Sequence, residues 1–162
     1  MAQKKDNTNN ILLVGAVVLL IGLGIYVYVL RNKDVKEEDV LQSTFDNLTF
    51  ELGKSVIKPT SFPSLDKLAS VLVKKPNWKL SIIGHTDDTG SADLNMKLSK
   101  ARAKAVADYL ISKGVLLTSV TFDGMGETKP ISDNKTDAGR ETNRRVEFTI
   151  TKPDNSISTT AK

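Results

Sequence analysis

Apolar residues are arranged along this chain in three ways, and each predicts a different kind of element. From Ile11 to Leu30 they form an unbroken run with no charged residue and no Ser, Thr, Asn, Gln or His. As a helix rising 1.5 Å per residue, this run spans about 30 Å, the thickness of the hydrocarbon core of a bilayer. Inside lipid such a helix satisfies its own backbone groups. Tyr26 and Tyr28 lie near its end, where aromatic side chains favour the membrane interface. The run is longer than the apolar core of a signal peptide, and Arg31-Asn32-Lys33-Asp34 follows it instead of a small-x-small cleavage site. The sequence therefore predicts an uncleaved transmembrane helix at 11–30 behind a polar segment at 1–10. The span lacks the ionisable group that an ion-carrying helix needs, and Gly15, Gly22 and Gly24 do not form a Gly-x-x-x-Gly pair. It reads as a tether. Lys4 and Lys5 precede it while Arg31, Lys33 and Lys36 follow, so charge alone leaves its orientation open.

After a polar linker of mixed charge at 31–43, apolar positions recur with strand or helix periods. A first strand is expected at Phe45 to Glu51, where Leu48 and Phe50 alternate with Thr49 and Glu51. Leu65, Leu68, Ala69 and Leu72 then mark an amphipathic helix over about Ser61 to Lys75, closed by Lys74-Lys75-Pro76. Trp78, Leu80 and Ile82 alternate into a second strand that ends in the polar loop Gly84 to Gly90. A longer helix is predicted over about Ala92 to Lys113, its stripe read as Leu94, Leu98, Ala101, Ala105 and Tyr109 with Val106 and Leu110, and Gly114 closing it. Val120 and Phe122 indicate a third strand that breaks at Gly124 and Gly126. A loop is expected from Glu127 to about Thr142, and Val146, Phe148 and Ile150 form a last strand. The predicted fold class is thus α/β: a β-α-β-α-β-β sandwich at 44–152 with helices packed on a mixed sheet, preceded by one transmembrane helix. Residues 153–162 have little to bury and are expected to be disordered.

Composition narrows the chemistry. At 162 residues there is room for one domain and an appendage. The absence of cysteine excludes disulfides, thiolate metal sites, cysteine nucleophiles and acylated-cysteine anchors. One histidine, His85, is too few for most zinc ligand sets. The net charge of +4 is not gathered into the basic stripe of a nucleic-acid binder. No cofactor, metal or catalytic residue is expected.

Candidate chemistry lies in the loop His85 to Gly90, which leaves a strand and leads towards a helix, a frequent place for ligands in α/β sheets. Asp87 sits in this loop and Arg102 follows fifteen positions later, so a carboxylate and a guanidinium are placed to flank one pocket. Mutual pairing or solvation is the plainer account of any one Asp and Arg. Arg144 shares strand parity with Val146, Phe148 and Ile150 and is expected on the buried face, with Arg145 pointing the other way. His85 is read as a hydrogen bond donor that orders the loop, not as a general base, because no nucleophile is marked beside it. Asp88 is read as a turn cap.

Several separate motifs together carry a resemblance. Gly84-His85-Thr86-Asp87-Asp88-Thr89-Gly90, then Asn95, Leu98-Ser99-Lys100-Ala101-Arg102-Ala103, Val106 and Tyr109-Leu110, then Gly124-Met125-Gly126-Glu127 and Asn143-Arg144-Arg145-Val146-Glu147 stand in order and spacing. Over about Phe45 to Thr151 the chain resembles the C-terminal, peptidoglycan-binding domain of the OmpA family. The resemblance implies noncovalent binding of the diaminopimelate in the peptide stem of peptidoglycan. It places Asp87 at the diaminopimelate ammonium and Arg102 at its carboxylate, with Thr89, Leu94, Asn95 and Arg144 lining the site. Where the family often has a polar residue in the loop after its first strand, this chain has Leu52-Gly53, so no polar side-chain contact carries over from that loop. Taken with the predicted span at 11–30, the resemblance implies a single-pass inner-membrane protein whose domain lies in the periplasm and fastens the membrane, or a complex within it, to the cell wall. The alternative is a wall-anchoring accessory subunit of an ion-driven motor or secretion system; a peptidoglycan hydrolase is a more distant third.

Overall fold

A computed structural model of the protein describes residues 44, 48–153 and 157–160. The predicted membrane span at 11–30, the segment before it and the linker at 31–43 lie outside them. Among the described residues no helix is long and apolar enough to cross a membrane.

The architecture is built on β1 (Lys79–His85), in which Leu80 and Ile82 are buried while Ser81 and Ile83 are partly covered. On one side β1 pairs in parallel with β2 (Val120–Gly126), and on the other it runs antiparallel to β3 (Val146–Thr151). Ile82 is therefore flanked by Phe122 and Phe148. A fourth strand, β4 (Ile157–Thr160), pairs antiparallel with β3 and completes a mixed sheet of order β2-β1-β3-β4. The expected disorder of the tail is thus corrected at 157–160, where the backbone extends the ladder. Pairing of main-chain groups does not depend on an apolar pattern, so composition gave no sign of it.

Two helices supply the rest of the core. Helix α1 (Phe62–Lys74) has Pro63 in its first turn and Lys74 in its last, and buries Leu65, Leu68, Ala69 and Leu72. Helix α2 (Ala92–Ser112) starts at Ser91, whose hydroxyl accepts the Leu94 amide, and is the longer of the two. Phe62 stacks on Tyr109 between the helices with ring centroids 4.9 Å apart, and the Tyr109 hydroxyl donates to Asp66 at 2.8 Å. The apolar core gathers Leu65, Leu68, Trp78, Leu80, Ile82, Val106, Leu110, Phe148 and Ile150.

Four local expectations change. The buried face of α2 is Asn95, Ser99, Arg102, Ala103, Val106, Ala107 and Leu110, rotated from the predicted stripe, because its first turns bury polar groups. Strand β2 does not break at Gly124 but runs to Gly126. A side chain at Gly124 would put its Cβ 2.3 Å from the Lys100 amide, so this glycine admits the helix backbone instead of making a turn. The segment read as a loop contains a short helix, α3 (Asp137–Asn143), with Thr136 capping the Gly139 amide. The expected first strand is represented, among the described residues, by a single antiparallel bridge between Phe50 and Ile57.

Candidate binding site

The site forms where β1 ends and the chain must turn before α2. The Thr86 amide still donates to the Gly126 carbonyl at 2.9 Å, extending the sheet by one bond. The next side chain then takes over the backbone's role: Asp87 Oδ1 accepts the Thr89 amide at 2.9 Å, closing an Asx turn. Asp87, not Asp88, is therefore the residue that orders this turn, and Asp88 is exposed. From the first turn of α2, Asn95 Nδ2 donates to the Asp87 carbonyl at 3.3 Å and to Glu127 Oε2 at 2.6 Å, which ties the loop to the helix and to the end of β2.

Arg102 lies two turns beyond Asn95 on the same buried face of α2. Its Nε donates to the Lys54 carbonyl at 3.0 Å, and its guanidinium sits 5.3 Å from the centroid of the Phe50 ring. The terminal nitrogens have no protein partner among the described residues. Burial, and then the positive charge of Arg144, lowers the Arg102 pKa, but a guanidinium remains a cation at any physiological pH.

Arg144 follows the last residue of α3 and precedes β3, so strand parity does not reach it. Its backbone turns there (φ −77°, ψ 76°), and the prediction for the arginine pair is reversed. Arg144 is half-buried, and Arg145, which borders the same cavity, is 6% exposed and donates to Glu147 Oε1 from Nε at 2.9 Å and Nη2 at 2.5 Å. Arg144 Nη1 lies 2.5 Å from Asp87 Oδ2, and Nη2 pairs with Glu141, one helical turn earlier. Burial by itself would raise the Asp87 pKa, but hydrogen bonds from Arg144 and Thr89 outweigh it and hold the carboxyl below its ordinary value. Asp87 is therefore a carboxylate at neutral pH.

These groups line a cavity of about 570 Å³. Asp87, Thr89, Asn95, Arg102 and Arg144 all border it. Leu94 does not: it is 63% exposed and outside the lining, with Leu98 in its place. Residues 48–53 and Lys58 also line it, so that Glu51 and Glu141 join Asp87 as lining carboxylates. Sequence reading missed Phe50, Lys58 and Glu141, since the hairpin carrying the first two and the helix carrying the third have no strong periodic signal.

His85 lies behind the loop with its side chain almost wholly enclosed. Its backbone amide donates to the Arg145 carbonyl at 2.9 Å, but neither ring nitrogen makes a hydrogen bond among the described residues. Its Nε2 lies 3.4 Å from Glu147 Oε1, an ionic neighbour without hydrogen-bonding geometry. The His85 ring thus gives the loop no hydrogen bond, contrary to expectation; the Asp87 side chain orders it instead. Burial and the Arg145 charge push the imidazole pKa down, with Glu147 partly opposing them.

An anion and a cation facing one cavity suit a ligand that carries both charges. The OmpA family profile matches residues 49–144, more than half of the chain. The chain belongs to the OmpA family. Within it, this OmpA-family chain is 42% identical to the peptidoglycan-binding protein ArfA of Mycobacterium tuberculosis over 98 residues, 60% of this chain and 30% of ArfA. Its fold is similar to the C-terminal domain of Helicobacter pylori MotB, with a TM-score of 0.60 and 29% identity over 67% of this chain and 85% of that one. It is also similar to the cell wall anchor of the T6SS from Pseudomonas aeruginosa, with a TM-score of 0.56 and 34% identity over 64% of this chain and 73% of that one. The chain spans about half the length, or less, of the curated relatives it matches.

Proposed function

We propose that this OmpA-family domain binds peptidoglycan noncovalently, through the diaminopimelate of the stem peptide, and holds the membrane carrying it to the cell wall. The observation that carries this reading is the pairing of an ionised Asp87 with an open-ended Arg102 guanidinium on one cavity. Asp87 receives the ligand ammonium. Arg102 receives the carboxylate through its terminal nitrogens, whose planar fork matches two carboxylate oxygens. Thr89, Asn95 and Arg144 border the bound head. Leu94, proposed from the family resemblance, has no place in this contact set because it stands outside the cavity. Each charge-assisted contact is worth about 1.5–3 kcal/mol, or roughly ten- to a hundredfold in affinity. Many sites on one polymer add avidity. The ligand is bound, not cleaved.

In this reading the run Ile11 to Leu30 crosses the inner membrane once and the domain lies in the periplasm. The test is co-sedimentation with purified sacculi: Asp87→Ala and Arg102→Ala each abolish pelleting while retaining the wild-type circular dichroism spectrum. Undiminished pelleting of both variants rejects the reading.

A second reading is supported by the likeness to the T6SS cell wall anchor. Here the same wall grip immobilises a larger membrane machine, and the protein is an accessory subunit. Purification from membranes in mild detergent separates the two: isolation alone favours the simple tether, and isolation in a stoichiometric complex favours the subunit.

A further inference from the structure

The free cavity already holds a cation where the proposed ligand would bring its own. Arg144 bridges two lining carboxylates, with Nη1 2.5 Å from Asp87 Oδ2 and Nη2 on Glu141. The other oxygen of Asp87 accepts the Thr89 amide. Arg102 is arranged in the opposite sense. Its Nε is engaged by the Lys54 carbonyl and its planar guanidinium by the Phe50 ring, while its terminal nitrogens have no partner among the described residues. The anionic subsite is filled from within and the cationic one is open.

We propose that Arg144 is the specificity-determining residue of the cavity, a resident competitor for the ammonium subsite that makes the site select zwitterionic amino-acid heads over plain amines. The inference rests on the peptidoglycan reading for the identity of the zwitterion. An incoming ammonium must displace Arg144 from Asp87 or share the carboxylate with it, weakening a close charge-assisted pair. A ligand that also carries a carboxylate compensates for that loss. The released guanidinium keeps its second contact to Glu141 and turns to the ligand anion beside Arg102. The charge of Arg144 is already felt at Arg102, so an anion between the two relieves a repulsion present in the free protein. An alkyl diamine breaks the internal pair and offers no anion in return. Selectivity thus arises from what the wrong ligand fails to restore.

The test compares two ligands with the same carbon spacing, diaminopimelate and 1,5-diaminopentane, titrated into the full-length protein in detergent and followed by calorimetry and NMR shifts. Wild type is expected to prefer diaminopimelate by about a hundredfold. Arg144→Gln changes the two affinities in opposite directions: diaminopentane binds about tenfold tighter than to wild type, and diaminopimelate about tenfold weaker. Arg144→Lys, which keeps the charge, leaves diaminopentane as weak as in wild type. Thermal unfolding shows that each variant is folded. If diaminopentane binds Arg144→Gln no better than wild type, or binds neither detectably, Arg144 is only a ligand contact or a strut and the inference is overturned. Failure of wild type to bind diaminopimelate rejects the peptidoglycan reading instead, and the diamine comparison still decides whether Arg144 competes for Asp87.

Discussion

Gly84 and Ser99 set how closely the long helix lies on the central strand: a Cβ at Gly84 would fall 2.1 Å from the Ser99 carbonyl oxygen. The obstruction is backbone, which cannot rotate away as a side chain does. Gly84→Ala is therefore expected to destabilise the protein by about 3 kcal/mol, at the upper end of overpacking penalties. Urea denaturation measures it, and a midpoint within error of wild type would contradict the packing described here.

Asn143 is expected to be the most sensitive polar position away from the cavity. It is fully buried, and its amide accepts from the Ile131 and Ser132 backbone at 2.9 and 3.0 Å while donating to the Ser132 carbonyl and Asn134 at 2.9 and 2.7 Å. Asn143→Ala removes all four of these partly buried hydrogen bonds, each worth about 1 kcal/mol, and should cost about 3 kcal/mol. Because α3 delivers Arg144 to Asp87, the same variant should also weaken sacculus binding, whereas Asn134→Ala should weaken it less. Thermal melts paired with pelleting assays test both statements.

His85 predicts a decline of stability in mild acid. Its folded pKa lies below the ordinary value near 6.5, so the unfolded chain takes up a proton first. Stability is complete above that value and falls as pH drops from about 6.5 towards the lower folded pKa. His85→Gln should flatten this part of the profile, as followed by denaturation midpoints between about pH 7 and pH 5.

Asp87 acts in a lower window. Its folded pKa lies below the ordinary carboxylate value near 3.9, so its contribution is present above that value and is lost as pH falls through the folded one. Ligand binding should therefore persist from neutral pH through about pH 5 wherever the protein stays folded. Loss of binding with an apparent pKa near neutrality, in protein that circular dichroism shows to be folded, would mean that another group controls the site.

The two main helices and the inner strands were legible because burial there is apolar and periodic. Leu65, Leu68 and Leu72 point to one face, and Leu80 and Ile82 to another. Spacing only placed Asp87 and Arg102 where they could flank one pocket; the motifs that carry the family resemblance singled them out. Helix α3 was not legible, since it is fastened by Asn143 and Thr136 and not by an apolar stripe. The arginine pair was misassigned because parity was counted backwards from Val146 across a helix end, where alternation has no meaning. Leu94 looked like the start of the buried stripe, yet Asn95 takes that position because the helix opens against the site and not against the core.

Arg102 is steadied by the carbonyl of Lys54 and not by the side chain there, which instead reaches Glu51. The turn that presents this carbonyl depends on the positive φ of Gly53, a conformation that glycine adopts without strain. Apart from Gly53, the rim from Leu52 to Val56 is consequently free to drift in residue identity without disturbing the guanidinium, provided its main-chain path survives. A lineage can repaint the doorway of this cavity while the latch inside it stays in place.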